Sequence, residues 1–338
     1  MRHILIIRFG SLGDIVLTEP IVRQLRKAFP DSQIHYLTKS RFGELLSMFD
    51  GVDRVHLWDS EATESKLVAE LRKVGFDRTI DLHNNIRSAK IRSSLGAKWV
   101  STRKEWFKRF ASVRIKWLHT KPNHAIERYG RALESLGIST NLDLPRLIVG
   151  AEFRMKWAEF KVAGNIPEDY FVIAAGAAHD TKQAPGELWD QVARLIADEN
   201  GLRALLVGAP NEKASMEELK AKLGQNCAGV LCEESIGLSA AALERARFVL
   251  SNDSGSAHLA AALGKPTLAL FGPTHPILGF APRGARAGFY SVNEYCSPCS
   301  LHGKRHCHRE QRYCFTKMEA RKIVEQIKEL ISKDVDVQ

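Results

Sequence analysis

The chain has 338 residues, enough for two domains of ordinary size, and its 44% hydrophobic and 26% charged content is that of a globular protein, not a disordered or fibrous one. No apolar run reaches the length of a membrane span and no cleavage site follows the opening strand pattern, so a cytoplasmic location is expected. The formal net charge of +10 is concentrated: residues 82–131 hold thirteen Lys or Arg against Glu105 and Glu127, and the rest is close to neutral.

Residues 3–7, His-Ile-Leu-Ile-Ile, form a continuous apolar run, as a strand buried on both faces of a parallel sheet requires. Arg8-Phe-Gly-Ser-Leu-Gly-Asp14 then turns into a helix expected over 15–29, stopped by Pro30. Strand, glycine-rich turn and helix open a doubly wound α/β domain. Gly10 and Gly13 lack the third glycine of a dinucleotide fingerprint. Strands are expected over 34–37, 52–57 and 78–82, with helices near 41–49 and 62–74. Asp81-Leu-His-Asn-Asn85 ends the last of these strands, where ligands of open α/β sheets bind.

The stretch 103–118 has helical content, with Trp106, Phe107, Phe110 and Trp117 among basic residues, and reads as an amphipathic surface segment. With Trp99 it makes a basic aromatic region suited to nucleic acid, an anionic membrane surface or an anionic acceptor; a solvated helix face over core aromatics is the plainer alternative. A helix over 125–136 and an extended 144–149 close the first half. Gly164, Pro167 and a charged helix put the domain junction near 150–165.

Phe171-Val-Ile-Ala-Ala-Gly176 restarts the pattern and runs into Ala-Ala-His-Asp-Thr-Lys182. Helices over 187–199, up to 223 and over 238–246 alternate with strands over 202–207, 248–250 and 267–271, and 316–332 is an amphipathic helix. Both halves share one architecture.

The richest stretch is Leu250-Ser-Asn-Asp-Ser-Gly-Ser-Ala-His-Leu-Ala-Ala-Ala-Leu-Gly264. A strand ends, small residues turn, and a helix over 257–263 begins with its backbone bare. Unpaired N–H groups and the helix dipole suit a phosphate there. Asp253 suits hydroxyl groups instead, so the combination asks for a ligand carrying both, such as a sugar nucleotide. Simple capping by Ser251, Asp253 and Ser254 is the alternative.

Four of the six cysteines cluster as Cys296-x2-Cys299-x7-Cys307-x6-Cys314. In a cytosolic chain a closed four-thiolate site for structural zinc or iron is the better reading than disulfides, and four reduced thiols the alternative.

Taken together, Arg8-Phe-Gly-Ser-Leu-Gly-Asp-Ile-Val-Leu-Thr-Glu-Pro20 and 251–267 resemble the heptosyltransferases of glycosyltransferase family 9, across nearly the whole chain. The resemblance implies a GT-B architecture of two facing Rossmann-like domains with parallel sheets: an acceptor domain over 1–155, a nucleotide-sugar domain over 165–315, and a last helix, 316–338, packing back toward the first. It also implies inverting transfer from ADP-L-glycero-D-manno-heptose to the inner core of lipopolysaccharide, without a catalytic metal. Ser256-Ala257 stands where the family often has Pro-Met, and Lys182 is followed by Gln183-Ala-Pro185 where a tryptophan is usual.

By the same resemblance Asp14 is the base that takes the acceptor proton and Lys182 the cation that binds the departing diphosphate; from the residues alone, an N-terminal helix acid and a surface lysine remain open. The N–H groups of Gly255, Ser256, Ala257 and His258 would cradle the diphosphate, beside Gly176, Thr181 and Ser254. Asp253 would hold heptose hydroxyls and Glu212 the adenosine ribose. His258 could touch phosphate or merely pack. Gly10, Ser11, Gly13, His83, Asn84, Arg87, Arg92, Lys98 and Lys104 are expected at the acceptor. An acceptor with carboxylates and lipid phosphates in the inner leaflet gives the basic region, including Lys90, Arg103, Lys108 and Arg109, a peripheral membrane role. Two other classes compete: a GT-B sugar-nucleotide epimerase, which would turn over without acceptor, and a nucleic-acid binder on an inert scaffold, for which no recognition motif is present.

Overall fold

The computed structural model describes residues 1–115, 121–233, 235–304 and 306–333. In chain order come β1 (His3–Ile7), α1 (Leu12–Val16), α2 (Glu19–Ala28), β2 (Gln33–Lys39), α3 (Gly43–Leu46), β3 (Arg54–Trp58), α4 (Glu61–Val74), β4 (Arg78–Asp81), α5 (Ile86–Ser94), β5 (Lys98–Ser101), α6 (Trp106–Arg114) and α7 (Ala125–Glu134). After them come α8 (Ala151–Ala163), β6 (Tyr170–Ala174), α9 (Gly186–Asn200), β7 (Arg203–Val207), α10 (Lys213–Leu223), β8 (Cys227–Leu231), α11 (Ile236–Arg245), β9 (Val249–Asn252), α12 (Gly255–Ala262), β10 (Thr267–Leu270), β11 (Ala287–Tyr290), α13 (Tyr313–Thr316) and α14 (Ala320–Ser332).

Two compact units result: Met1–Glu105 with Asn123–Ile148, and Trp106–Pro122 with Val149–Gln338. The first carries a sheet in the order β3-β2-β1-β4-β5, the second a sheet in the order β11-β10-β9-β6-β7-β8, and every pairing is parallel. Each sheet therefore starts in its middle, winds outward to one side and then crosses to the other. The reversal lies between β1 and β4 in the first and between β6 and β9 in the second. In open α/β sheets the carboxyl ends of the strands at such a reversal are where ligands bind.

In the first unit, Leu5, Ile7 and Leu37 of the sheet bury against Leu67 and Leu71 of α4. The single helix expected over 15–29 is broken in two. Thr18 accounts for the break: its hydroxyl donates to the Ile15 carbonyl at 2.7 Å and meets the Tyr36 hydroxyl at 2.7 Å, and Pro20 then sits in the opening turn of α2, where a missing N–H costs nothing. Three histidines step diagonally across the strands: His3 Nδ1 lies 3.2 Å from His35 Nε2, and His35 Nδ1 lies 2.9 Å from His56 Nε2. The expected extended run 144–149 joins no sheet; its alternate residues are buried, and the Arg146 N–H donates to Glu19 at 2.8 Å.

The second unit begins at Val149, and the charged helix expected at the junction is anchored to it along one narrow stripe. Phe153 and Trp157 of α8 are buried, and Trp157 packs at 5.7 Å from Tyr170. α6 also groups with this unit, with Arg109 over the Phe280 ring at 4.8 Å, so the basic region is shared between the units. Trp117 and the rest of 116–120 lie outside the described residues. The last helix, expected to turn back to the first domain, buries Ile323, Val324, Ile327 and Leu330 in the core of the second unit, against α9, β10 and β11.

Candidate active site

Register places two sequence-predicted sites at the two reversals. In the first unit Ile7 pairs with Asp81, so the turn holding Asp14 and the turn holding His83 leave adjacent strand ends. Asp14 opens α1. Its carboxylate meets the Arg8 guanidinium at 2.8 Å and accepts from the Ser11 N–H at 3.1 Å, the Ser11 hydroxyl at 2.9 Å and the Tyr129 hydroxyl at 3.1 Å. Burial alone would raise its pKa, but Arg8 and the two Ser11 bonds outweigh that and hold it down to about 2. Arg8 is fixed in turn by the Leu82 carbonyl at 2.7 Å; burial would lower its pKa, but Asp14 together with Tyr129 and Tyr36 raises it.

Gly10 has a φ of +149°, and a Cβ there would stand 2.9 Å from the Phe42 ring, so the turn can pass only as glycine. Gly13 is buried inside α1. His83 packs edge-on against Phe9, and its Nδ1 has no hydrogen-bond partner among the described residues. Burial, then Arg8 and Lys104, push its pKa down to about 3, so the ring is neutral.

Several of the other expected acceptor residues also make contacts within the unit. Arg92 pairs with the fully buried Asp81 at 2.6 Å and covers the Trp99 ring at 3.9 Å. Asp81 also accepts from the N–H groups of His83 and Asn84 and from the Ser88 hydroxyl, which makes it the hub of the β4–α5 turn. Asn84, at φ 45°, donates to the Thr102 carbonyl at 2.8 Å. Arg87 lies over Trp58 at 4.5 Å, and Lys90 pairs with Glu64. Lys98 on β5 and Lys104 after it are exposed.

In the second unit Ala174 pairs with Ser251, and the loops after β6 and β9 meet. Lys182 Nζ lies 2.7 Å from Asp253, with both side chains mostly buried, and the Thr274 hydroxyl donates to the same carboxylate at 2.6 Å. Asn252 ties the loops: its Nδ2 donates to the Ala175 carbonyl at 2.5 Å and its Oδ1 accepts from the Ala184 N–H at 3.1 Å. The capping alternative is not what these side chains do. Ser254, at the N-cap of α12, makes no cap bond; Ser251 donates to the Asn252 carbonyl; Asp253 is turned to Lys182. Gly255 and Ser256 open α12 half-buried, Ala257 and His258 are buried in its first turn, and the first backbone N–H groups carry no cap bond from Ser254. Glu212 accepts from the Ala209 N–H at 2.8 Å, and a Cβ on Gly176 would overlap its carboxylate. Gly176 is glycine so that Glu212 can stand at the strand end.

Thr181 donates to the Gly303 carbonyl, which joins the donor loop to the cysteine-rich segment. Cys296, Cys299, Cys307 and Cys314 line one cavity with Thr181 and Arg312. Burial first, then Cys299, Cys296 and Cys307, push the Cys314 thiol up to about 12. Among the described residues no three His, Cys, Asp or Glu side chains stand as ligands for a metal ion. The thiols are gathered but not convergent.

Arg8, Tyr129, Asn252 and Thr274 were not singled out from the sequence. Arg8 and Asn252 sit inside the two motifs and were within reach; Tyr129 and Thr274 come from distant segments with no local signal.

Two parallel Rossmann-like sheets, each with its polar cluster at the reversal of strand order, are the plan of the GT-B class of sugar-nucleotide enzymes. The profile of glycosyltransferase family 9 (heptosyltransferase) matches residues 65–308, and the chain belongs to that family. It is 28% identical over 319 residues to lipopolysaccharide heptosyltransferase 1 of Salmonella typhimurium, covering 88% of this chain and 94% of that one. Its fold is similar to that of a family 9 glycosyltransferase from Veillonella parvula, at a TM-score of 0.80 and 21% identity over 98% of this chain and 97% of that one. The E. coli heptosyltransferase solved with ADP is similar at a TM-score of 0.71 and 24% identity, over 97% of this chain and 99% of that one. Family membership favours transfer over the epimerase and nucleic-acid alternatives. No helix among the described residues is long and apolar enough to cross a membrane.

Proposed function

We propose that the protein transfers a heptose from ADP-L-glycero-D-manno-heptose to the inner core of lipopolysaccharide, with inversion at the anomeric carbon. The observation that carries this reading is the Lys182–Asp253 pair at the uncapped start of α12, at 2.7 Å, in a family 9 chain. Lys182 and the N–H groups of Gly255–His258 bind the diphosphate, whose charge grows as the bond to the sugar breaks. Asp253 receives heptose hydroxyls, and Glu212 the vicinal diol of the ribose. An acceptor hydroxyl attacks the anomeric carbon, its proton passes to Asp14, and ADP leaves. Asp14 is ionised, as a base must be, but Arg8 and Ser11 occupy it. The arriving acceptor must therefore draw Arg8 to its own anionic groups, which raises the basicity of Asp14 at the moment it is needed. The Nδ1 of His83 is left to a hydroxyl of the acceptor.

The test is titration with ADP-, UDP- and GDP-sugars. Lys182→Ala should weaken ADP-sugar binding by about tenfold or more, the scale of a charge-assisted contact. Equal binding of all three nucleotides, or indifference to Lys182→Ala, removes the donor assignment.

The exposed Ile86, Trp99, Trp106 and Phe107, set among basic residues, support docking on the anionic inner face of the membrane. Lys98→Glu with Arg103→Glu should reduce sedimentation with anionic vesicles and spare ADP binding; unchanged sedimentation removes the docking role. The four thiols around one cavity support a structural zinc or iron ion. They would have to converge on it, and metal analysis of chelator-free protein, about one equivalent against none, decides it.

A further inference from the structure

Lys182 sits on a single 3-10 turn, Asp180–Lys182, with only two backbone bonds of its own kind: Lys182 N–H to His179 and Gln183 N–H to Asp180. One isolated turn does not hold its shape, because its few hydrogen bonds do not offset the ordering of its residues. A lysine that must meet a diphosphate within about half an ångström needs its backbone fixed from outside.

The cysteine-rich segment does this from three sides. Arg312 Nη1 uses its two hydrogens on two carbonyls, Asp180 and Gln183, each at 2.8 Å, and so brackets Lys182. The Gly303 carbonyl takes the Thr181 hydroxyl. Gly303 has a φ of +81°, and a Cβ there would stand 2.5 Å from the Lys182 Cγ and 2.7 Å from its Cδ, so the lysine stem lies flat against a residue that has to be glycine.

The clamp is itself anchored. Arg312 directly precedes α13, whose Cys314 and Phe315 are buried in the second core, and its carbonyl accepts the Phe315 N–H at 2.7 Å. Gly303 is held by the Ser300 hydroxyl at 2.9 Å. Glu294, at the start of the segment, takes both Arg309 and Lys317 at 2.5 Å, which closes the segment into a loop.

We infer that Arg312 and Gly303 are positioning residues for Lys182, so that the cysteine-rich loop sets the geometry of the diphosphate site without touching the ligand. This rests on the reading of Lys182 as the donor cation. Arg312 acts through carbonyls on either side of Lys182, so its removal should matter only while the lysine is present.

The experiment is a double-mutant cycle on the full chain, read by ADP affinity and turnover with thermal midpoints as control. Arg312→Ala should weaken ADP binding about tenfold and lower turnover, and Lys182→Ala should do at least as much. The double variant should be no worse than Lys182→Ala alone, because coupled groups are not additive. Arg312→Lys keeps the charge without the planar fork and should show the same coupling at about threefold, which serves if the alanine variant does not fold. Wild-type behaviour of Arg312→Ala, or a loss that adds in full to that of Lys182→Ala, overturns the inference while leaving the donor assignment standing. Wild-type ADP binding by Lys182→Ala overturns both.

Discussion

Asp14 has four donor groups around one carboxylate, and its acid–base behaviour belongs to that setting more than to its own chemistry. Asp14→Asn should lower turnover by about a hundredfold or more, the scale of a general base, and leave ADP affinity unchanged. Its folded pKa, about 2, lies below the ordinary 3.8, so ionisation stabilises the fold above pH 3.8 and that contribution disappears as pH falls through 2. The stability gap between wild type and Asp14→Asn should accordingly narrow below pH 4 in urea titrations; a constant gap would mean that Arg8 does not hold the charge. At the other site, Gly176→Ala drives a methyl into the Glu212 carboxylate. ADP affinity should drop by about tenfold because the carboxylate is displaced, and the double variant with Glu212→Ala should be no worse than Glu212→Ala alone.

The histidine ladder across β1, β2 and β3 works as an element. Burial, then His56 and His3, push the pKa of His35 down to about 4 from 6.5, and His56 is lowered as well, chiefly by burial. The folded state refuses protons that the unfolded chain accepts between those values. Stability should be full above pH 6.5 and fall toward pH 4, by up to about 1.4 kcal/mol per pH unit for each such proton. His35→Leu should reduce that slope in denaturant titrations, leaving the parts due to His56 and to His83, the latter extending lower. Several elements escaped the sequence for a related reason. β5, β8 and β11 read Lys-Trp-Val-Ser, Cys-Ala-Gly-Val-Leu and Ala-Gly-Phe-Tyr, short runs with glycine or charge at the sheet's outer positions, where only a neighbouring strand makes them strands. The break at Thr18 was equally hidden, since the hydroxyl that makes it meets Tyr36 of another element.

At the scale of the molecule the two-sheet plan was legible, because buried parallel strands are continuous apolar runs and each glycine-rich turn marks a strand end. Both motifs lie where strand order reverses, so the parts of the site local in sequence could be read there. The parts built by tertiary contact could not: Arg312 reaches Asp180 across 132 positions, and Tyr129 reaches Asp14 across 115. The division of labour is testable by hydrogen exchange. ADP should protect the loops after β6, β7 and β9 and the start of α12, and leave the turns around Asp14 and His83 at their free rates; equal protection in both units would contradict separate donor and acceptor sites.

The Lys182–Asp253 pair has a kinetic corollary. Asp253 is an intramolecular counter-ion for the same ammonium that the diphosphate needs, tethered where no ligand concentration can dilute it. Each departing ADP is thus displaced by a competitor already in place, and the emptied site is neutralised as it is vacated. Asp253→Asn should prolong the residence of ADP several-fold and turn product dissociation into the slow step, seen as a burst in pre-steady-state release followed by a depressed steady rate.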